Sequence, residues 1–172
     1  MPVGDGIPVP YGQQIQFITP QKRRSQPIIL QEYFSLPQKE RSHWADQLKT
    51  AGWRGAAHLY HLLQTEALDA QLFLLTDGDQ LVSFCTLSRQ EEILDDSLFP
   101  WIGFVYTFPA YRGHRYSETV IQHACAQARA QGHSRVYLSS EEQGLYEKYG
   151  FTFWQNRKTI WGEETQIFFR DV

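Results

Sequence analysis

Between Phe104 and Ala124 the chain reads FVYTFPAYRGHRYSETVIQHA: an apolar run, a proline, a basic turn containing glycine, then the start of a helical repeat. A strand that runs into a helix N-terminus makes an anion site, because the N–H groups of the first helical turn have no intrahelical acceptor and lie at the positive end of the macrodipole. Residues 107–117 include Arg112 and Arg115 and no acid, so a diphosphate would find fixed dipoles and mobile charge together. His114 lies in the same turn and adds charge below its ordinary pKa of about 6.5. A second cluster, Glu91, Glu92, Asp95 and Asp96, puts four carboxylates in one short stretch that could attract a cationic amine. The ordinary fate of such a run is a solvated loop, and that is the expectation. His58 and His61 stand i, i+3 on a predicted helix, but no third ligand is recognisable and no metal is assigned. Cys85 and Cys125 are set in apolar sequence, where a free cysteine packs as a small core residue and is neither an activated nucleophile nor part of a disulfide framework.

The elements that must position these groups can be read from periodicity. Residues 1–30 hold five prolines and three glycines and read as an extended arm, with Gln14–Ile18 alternating as a short strand and Ile28–Leu30 as a second extended piece. Pro37 opens a helix to about Ala51, stopped by Gly52, and a second helix is predicted from Ala56 to Ala70 on the spacing of Leu59, Leu62, Leu63 and Leu68. Gln71–Thr76 and Leu81–Ser88 flank Asp77-Gly78-Asp79-Gln80, a hairpin signal. After a polar loop, Trp101–Thr107 reads as a buried strand, and Val120, Ile121, Ala124, Cys125 and Ala128 mark a helix from about Arg115 to Gln131. Arg135–Ser139 is a further strand, Glu141–Tyr149 a short helix, and Phe151–Ile160 with Thr165–Arg170 a terminal hairpin. The expected fold is α/β (α+β): a mixed, mostly antiparallel twisted sheet of about six to seven strands with helices on both faces, formed by residues 31–172 as one domain.

Composition narrows the function classes. The 172 residues are 42% hydrophobic and 15% aromatic, enough for one sizeable core, and the aromatic content suits an apolar pocket or a homodimer contact, though a large core explains it equally well. A net charge of −3 argues against a general nucleic-acid binder, since phosphate neutralisation needs a basic surface. No apolar run approaches the roughly 20 residues of a membrane span, and the opening MPVGDGIPVPYGQQ lacks the basic start and apolar stretch of a signal peptide. A cytoplasmic protein with no membrane partner is expected.

Two stretches carry a family resemblance. Pro109-Ala110-Tyr111-Arg112-Gly113-His114-Arg115-Tyr116-Ser117 resembles the Pro-x-x-Arg-Gly-x-Gly-x-Gly/Ala turn of the GNAT N-acetyltransferase superfamily, and Leu145-Tyr146-Glu147-Lys148-Tyr149-Gly150-Phe151 resembles that family's later Leu-Tyr-x-Lys-x-Gly-Phe motif. The likeness runs from about residue 37 to the C-terminus. It departs from the pattern where Arg115 and Ser117 replace the second and third glycines. Thr107 stands in place of an apolar residue, Ser139 in place of an asparagine, and Gly103 in place of a strand acid often used as base.

The resemblance implies an enzyme that moves an acetyl group from acetyl-CoA, as cosubstrate, to a primary amine without an acyl-enzyme; the acceptor is not identified by the sequence, a small molecule being favoured over a protein. The pantetheine arm would pair with main-chain groups of Val105, Tyr106 and Thr107 like an added strand. The diphosphate would lie on Arg112, Gly113, His114, Arg115, Tyr116 and Ser117. Ser139 would contact the cosubstrate from the neighbouring strand. Tyr146 matches the tyrosine that protonates the departing thiolate, as a phenol of ordinary pKa about 10 can. The alternative consistent with the departures is a CoA-binding sensor or interaction module of the same fold without catalysis.

Overall fold

The structure, a computed structural model, describes residues 27–172, so the predicted strand at Gln14–Ile18 and the rest of the arm before residue 27 lie outside it. Seven strands, β1 (Ile28–Glu32), β2 (Ala70–Asp77), β3 (Gln80–Ser88), β4 (Trp101–Thr107), β5 (Arg135–Ser140), β6 (Thr152–Lys158) and β7 (Glu164–Asp171), form one sheet in the order β1-β2-β3-β4-β5-β7-β6. Ile28–Leu30, predicted as an extended piece of the arm, begin the edge strand β1. Every neighbouring pair is antiparallel except β4 and β5.

Three helices cover both faces: α1 (Gln38–Leu48), α2 (Arg54–Gln64) and α3 (Tyr116–Ala130). On one face α3 buries Val120, Ile121, Ala124 and Ala128 against Phe73, Val82, Cys85 and Ile102 of the strands. On the other, Trp44 and Leu48 of α1 and Leu59 of α2 pack on Leu72, Leu74 and Phe84. The sheet is thus apolar on both faces, as a two-sided covering requires.

Helix ends differ from the sequence expectation in two places, each for a local reason. Helix α2 stops at Gln64 instead of reaching Ala70; Glu66 takes a φ of 54°, which ends a right-handed helix, and the chain turns into β2. The helix predicted over Glu141–Tyr149 is reduced to a single 3-10 turn at Glu147–Tyr149, because Gly144 sits at φ 71° in mid-segment. Tyr146 therefore precedes that turn rather than lying within a helix.

Two irregularities of β4 open a space beside it. Phe84 of β3 pairs with Tyr106 and Thr86 with Gly103, so Cys85 alone opposes both Phe104 and Val105. This is a bulge, and Phe104 absorbs it at a φ of 47°. On its other side β4 meets β5 only at Trp101↔Tyr137, supported by Tyr137 N–H donating to Pro100 O at 2.9 Å. Beyond that point the two parallel strands are no longer paired.

Candidate active site

The wedge between β4 and β5 is a cleft of about 940 Å³, at the upper end of the range for sites that hold small ligands. Its floor is residues 102–107 of β4 on one side and Leu138, Ser139 and Ser140 of β5 on the other. Past Trp101 the β4 edge has no strand opposite it, which leaves peptide groups near Val105 and Thr107 available to an extended ligand.

One end of the cleft is the start of α3. Pro109–Tyr111 form a 3-10 turn, Gly113 takes φ 83° with open space around its α-carbon, and Arg115 precedes the helix in the left-handed region at φ 58°. A non-glycine residue there costs about 1–2 kcal/mol. No side chain caps α3, so its first-turn N–H groups remain for a ligand. The two arginines are engaged locally. Arg115 Nε binds the Glu118 carboxylate at 2.6 Å, and Arg112 Nε donates to Thr107 O at 3.2 Å while its guanidinium lies 5.7 Å from the centre of the Tyr106 ring. The start of α3 therefore offers main-chain dipoles more freely than guanidinium groups.

Ser117, at the motif's last glycine position, shares a hydrogen bond of 2.9 Å with the Tyr149 hydroxyl. That bond ties the start of α3 to the Tyr146–Tyr149 segment. Tyr146 is 6% exposed and lines the cleft from that segment. Burial raises its pKa above the ordinary 10, a shift opposed by a hydrogen bond with the Ser140 side chain. The phenol stays protonated at neutral pH.

Every cosubstrate-contact and catalytic residue expected from the sequence lines this one cleft except His114, which is exposed and lies against Tyr116 at 5.5 Å between ring centres. Tyr106 contributes differently from expectation. Its hydroxyl donates to Ala51 O at 2.6 Å and its ring stacks on Trp53, 5.4 Å away at an interplanar angle of 5°, so the side chain builds the wall toward α2.

A family model for acetyltransferases of the GNAT type matches residues 30–151. The chain belongs to the GNAT acetyltransferase family. No curated protein sequence matches it significantly. Among solved structures it resembles a GNAT acetyltransferase from Elizabethkingia anophelis with acetyl-CoA bound, at TM-score 0.59 and 11% identity over 84% of this chain and 98% of that one. It also resembles an aminoglycoside 6'-N-acetyltransferase complexed with coenzyme A, at TM-score 0.61 and 12% identity over 83% and 96%. A third is the ribosomal-protein alanine N-acetyltransferase of Escherichia coli, at TM-score 0.60 and 13% identity over 85% and 94%. Identities this low establish the fold that these proteins share with the GNAT chain described here.

The sequence pattern assigns Glu91 and Glu92 to a solvated loop with the rest of the acidic run. Both line the cleft, whereas Asp95 leaves it to pair with Arg157 at 2.7 Å and with Ser97. The acidic stretch is therefore not uniformly solvated. Its first residue is folded inward, half-buried, with the carboxylate over Gly103, where a Cβ would collide with Glu91 Oε1. The signal was Gly103 itself: a glycine inside an apolar strand leaves room for a neighbour to approach the backbone. Glu141, Glu142 and Glu163 also line the cleft, and no helix among the described residues is long and apolar enough to cross a membrane.

Proposed function

We propose that this acetyltransferase uses acetyl-CoA to N-acetylate a primary amine by direct transfer within a ternary complex. The observation that carries the reading is the open β4–β5 wedge, where an unpaired strand edge and an uncapped helix start face one space. Acetyl-CoA fits those two features together. Its pantetheine amides suit Val105 and Thr107 as an added strand, and its diphosphate suits the N–H groups of residues 113–117. Thr107 O already accepts from Arg112, but a carbonyl has a second lone pair. The cosubstrate supplies an activated thioester. The chain's part is to hold it, to polarise its carbonyl with a main-chain N–H near Val105, and to present the Tyr146 hydroxyl as a proton donor to the leaving sulfur.

Two further features support the assignment. Cys85 and Cys125 are buried free thiols whose pKa values burial pushes up, so neither is an activated nucleophile and no acyl-enzyme step is needed. The cleft is also asymmetric in charge, with Arg112 and Arg115 at the α3 end and Glu91, Glu92 and Glu163 among its other lining groups. An acceptor that arrives as a cation is favoured at the acidic side. The Trp53–Tyr106 stack gives that acceptor an aromatic wall of the kind a small molecule uses.

The test is thiol release from acetyl-CoA with an amine panel of spermidine, an aminoglycoside and an alanyl peptide, beside calorimetry with coenzyme A. Tyr146→Phe is expected to lower kcat by about tenfold or more while the Kd for coenzyme A stays within twofold. An unchanged kcat would remove Tyr146 from the chemistry. A wild-type protein that does not bind coenzyme A would end the transferase reading.

A further inference from the structure

Glu91 is a buried-side carboxylate for which the fold provides no counter-charge. Among the described residues it forms no ion pair, and its one hydrogen bond is from the N–H of its neighbour Glu92 at 3.0 Å. An acid without a counter-charge would normally turn outward, as Glu92 and Asp96 of the same loop do. Glu91 instead lies over Gly103, the residue immediately before the Phe104–Val105 bulge. Oε1 occupies the space where a side chain on β4 would begin.

The chain holds Glu91 there by more than the local turn. Ile160 N–H donates to Glu92 O at 2.8 Å, which fixes the loop to the β6–β7 connection. Farther along, Arg157 of β6 binds Asp95 at 2.7 Å, and Ile93 and Leu98 are buried against Trp101 and Ile167. The loop carrying Glu91 is therefore anchored along the stretch that follows it, from Glu92 to Leu98.

A transfer to an amine needs a proton acceptor, since the nucleophile arrives as an ammonium ion. Among the groups lining the cleft, Tyr146 is held protonated and Arg112 and Arg115 carry guanidinium groups, whereas Glu91 places its Oε1 directly against the β4 backbone at Gly103. We infer that Glu91 is the general base of the reaction, delivered to the reacting centre from the β3–β4 loop through the space that Gly103 leaves open. This rests on the transferase reading under Proposed function. The step balances: one proton passes from the ammonium nitrogen to Glu91, the neutral nitrogen forms the N–C bond to the thioester carbonyl carbon, the C–S bond breaks as the sulfur takes a proton from the Tyr146 hydroxyl, and the nitrogen, cationic after attack, gives its second proton to water to leave the neutral amide. Release of the Glu91 proton to water and return of one proton from water to Tyr146 complete the turnover. Burial pushes the Glu91 carboxyl up to about 7, opposed by the Glu92 N–H and reinforced by the Glu92 charge, so the group exchanges protons near neutral pH.

The experiment measures thiol release from acetyl-CoA with the same three acceptors between pH 5.5 and 9, on wild type, Glu91→Gln and Glu91→Asp, with calorimetry for coenzyme A on each. Wild type is expected to lose kcat/KM as pH falls through about 7. Glu91→Gln is expected to lower kcat/KM by about 10²-fold or more, to lose the limb near 7, and to bind coenzyme A within twofold of wild type. Glu91→Asp, which keeps the carboxylate, is expected to retain a limb and part of the rate. Glu91→Gln with wild-type kcat/KM and an unaltered limb would overturn the base assignment while leaving the transferase reading intact. Wild type that fails to bind coenzyme A, or binds it and turns over none of the acceptors, would overturn both.

Discussion

Replacing Glu91 by Gln has a consequence for stability as well as for rate, and the two have opposite signs. In the unfolded chain this carboxyl titrates at the ordinary value of 4.5; in the folded protein burial carries it up to about 7. At 1.36 kcal/mol per pH unit that displacement corresponds to at most about 3 kcal/mol, and water reaching the part-open side chain reduces it to about 2 kcal/mol. The sign is set by proton counts. Below 4.5 both states are protonated and the group costs nothing. Between 4.5 and 7 the unfolded chain gives up its proton while the folded protein keeps it, so stability falls as pH rises, and above 7 the full penalty is present. Gln carries no charge, and its amide oxygen can still accept from Glu92 N–H. The stability advantage of Glu91→Gln over wild type is therefore expected to grow by about 1.5 kcal/mol between pH 5 and pH 8, equivalent to roughly 3–6 °C in Tm for a chain of this size. Urea denaturation of both proteins at the two pH values measures it, and comparing the change in difference cancels the titrating groups that do not interact with Glu91, among them Asp95, whose pKa its bonds to Ser97 and Arg157 lower. A difference that stays flat with pH, or shrinks, would show that Glu91 is not held in a desolvated position.

Two other substitutions test the framework around the cleft. Ser117→Ala removes the 2.9 Å bond to the hydroxyl of Tyr149, a residue 7% exposed, and is expected to cost about 1–2 kcal/mol in urea denaturation; no loss would mean that the bond does not tie α3 to the Tyr146 segment. Phe84 is fully buried between Trp53, Tyr106 and Phe108, so Phe84→Ala is expected to cost about 3–5 kcal/mol, and a loss below about 1 kcal/mol would contradict the packing of that wall.

What the sequence made legible was whatever short-range chemistry decides. Trp101–Thr107 is an apolar run bounded by prolines, and it is β4 residue for residue. The Asp-Gly step at residues 77–78 joins β2 to β3, and the five-residue apolar repeat beginning at Val120 is the buried face of α3. The motif turn at residues 109–117 could be placed because proline and glycine mark it directly. What stayed hidden was set by distant contacts. Nothing local says that β4 and β5 part after Trp101↔Tyr137, although that parting makes the cleft. A run of four acids looks solvated until the loop is anchored through Ile160, Arg157 and Trp101, which turns one carboxylate inward and another toward an arginine. Tyr146 was found by its motif, but the helix expected around it was not, because Gly144 adopts a left-handed conformation that periodicity does not register.

Whether the β4–β5 wedge and the start of α3 hold the cosubstrate together is tested most directly by a crystal structure of the protein soaked with coenzyme A. The diphosphate is expected on the main-chain N–H groups of residues 113–117, the pantetheine arm alongside Val105 and Thr107, and the sulfur within reach of the Tyr146 hydroxyl. Coenzyme density elsewhere on the molecule, or an empty wedge at saturating concentration, would contradict it.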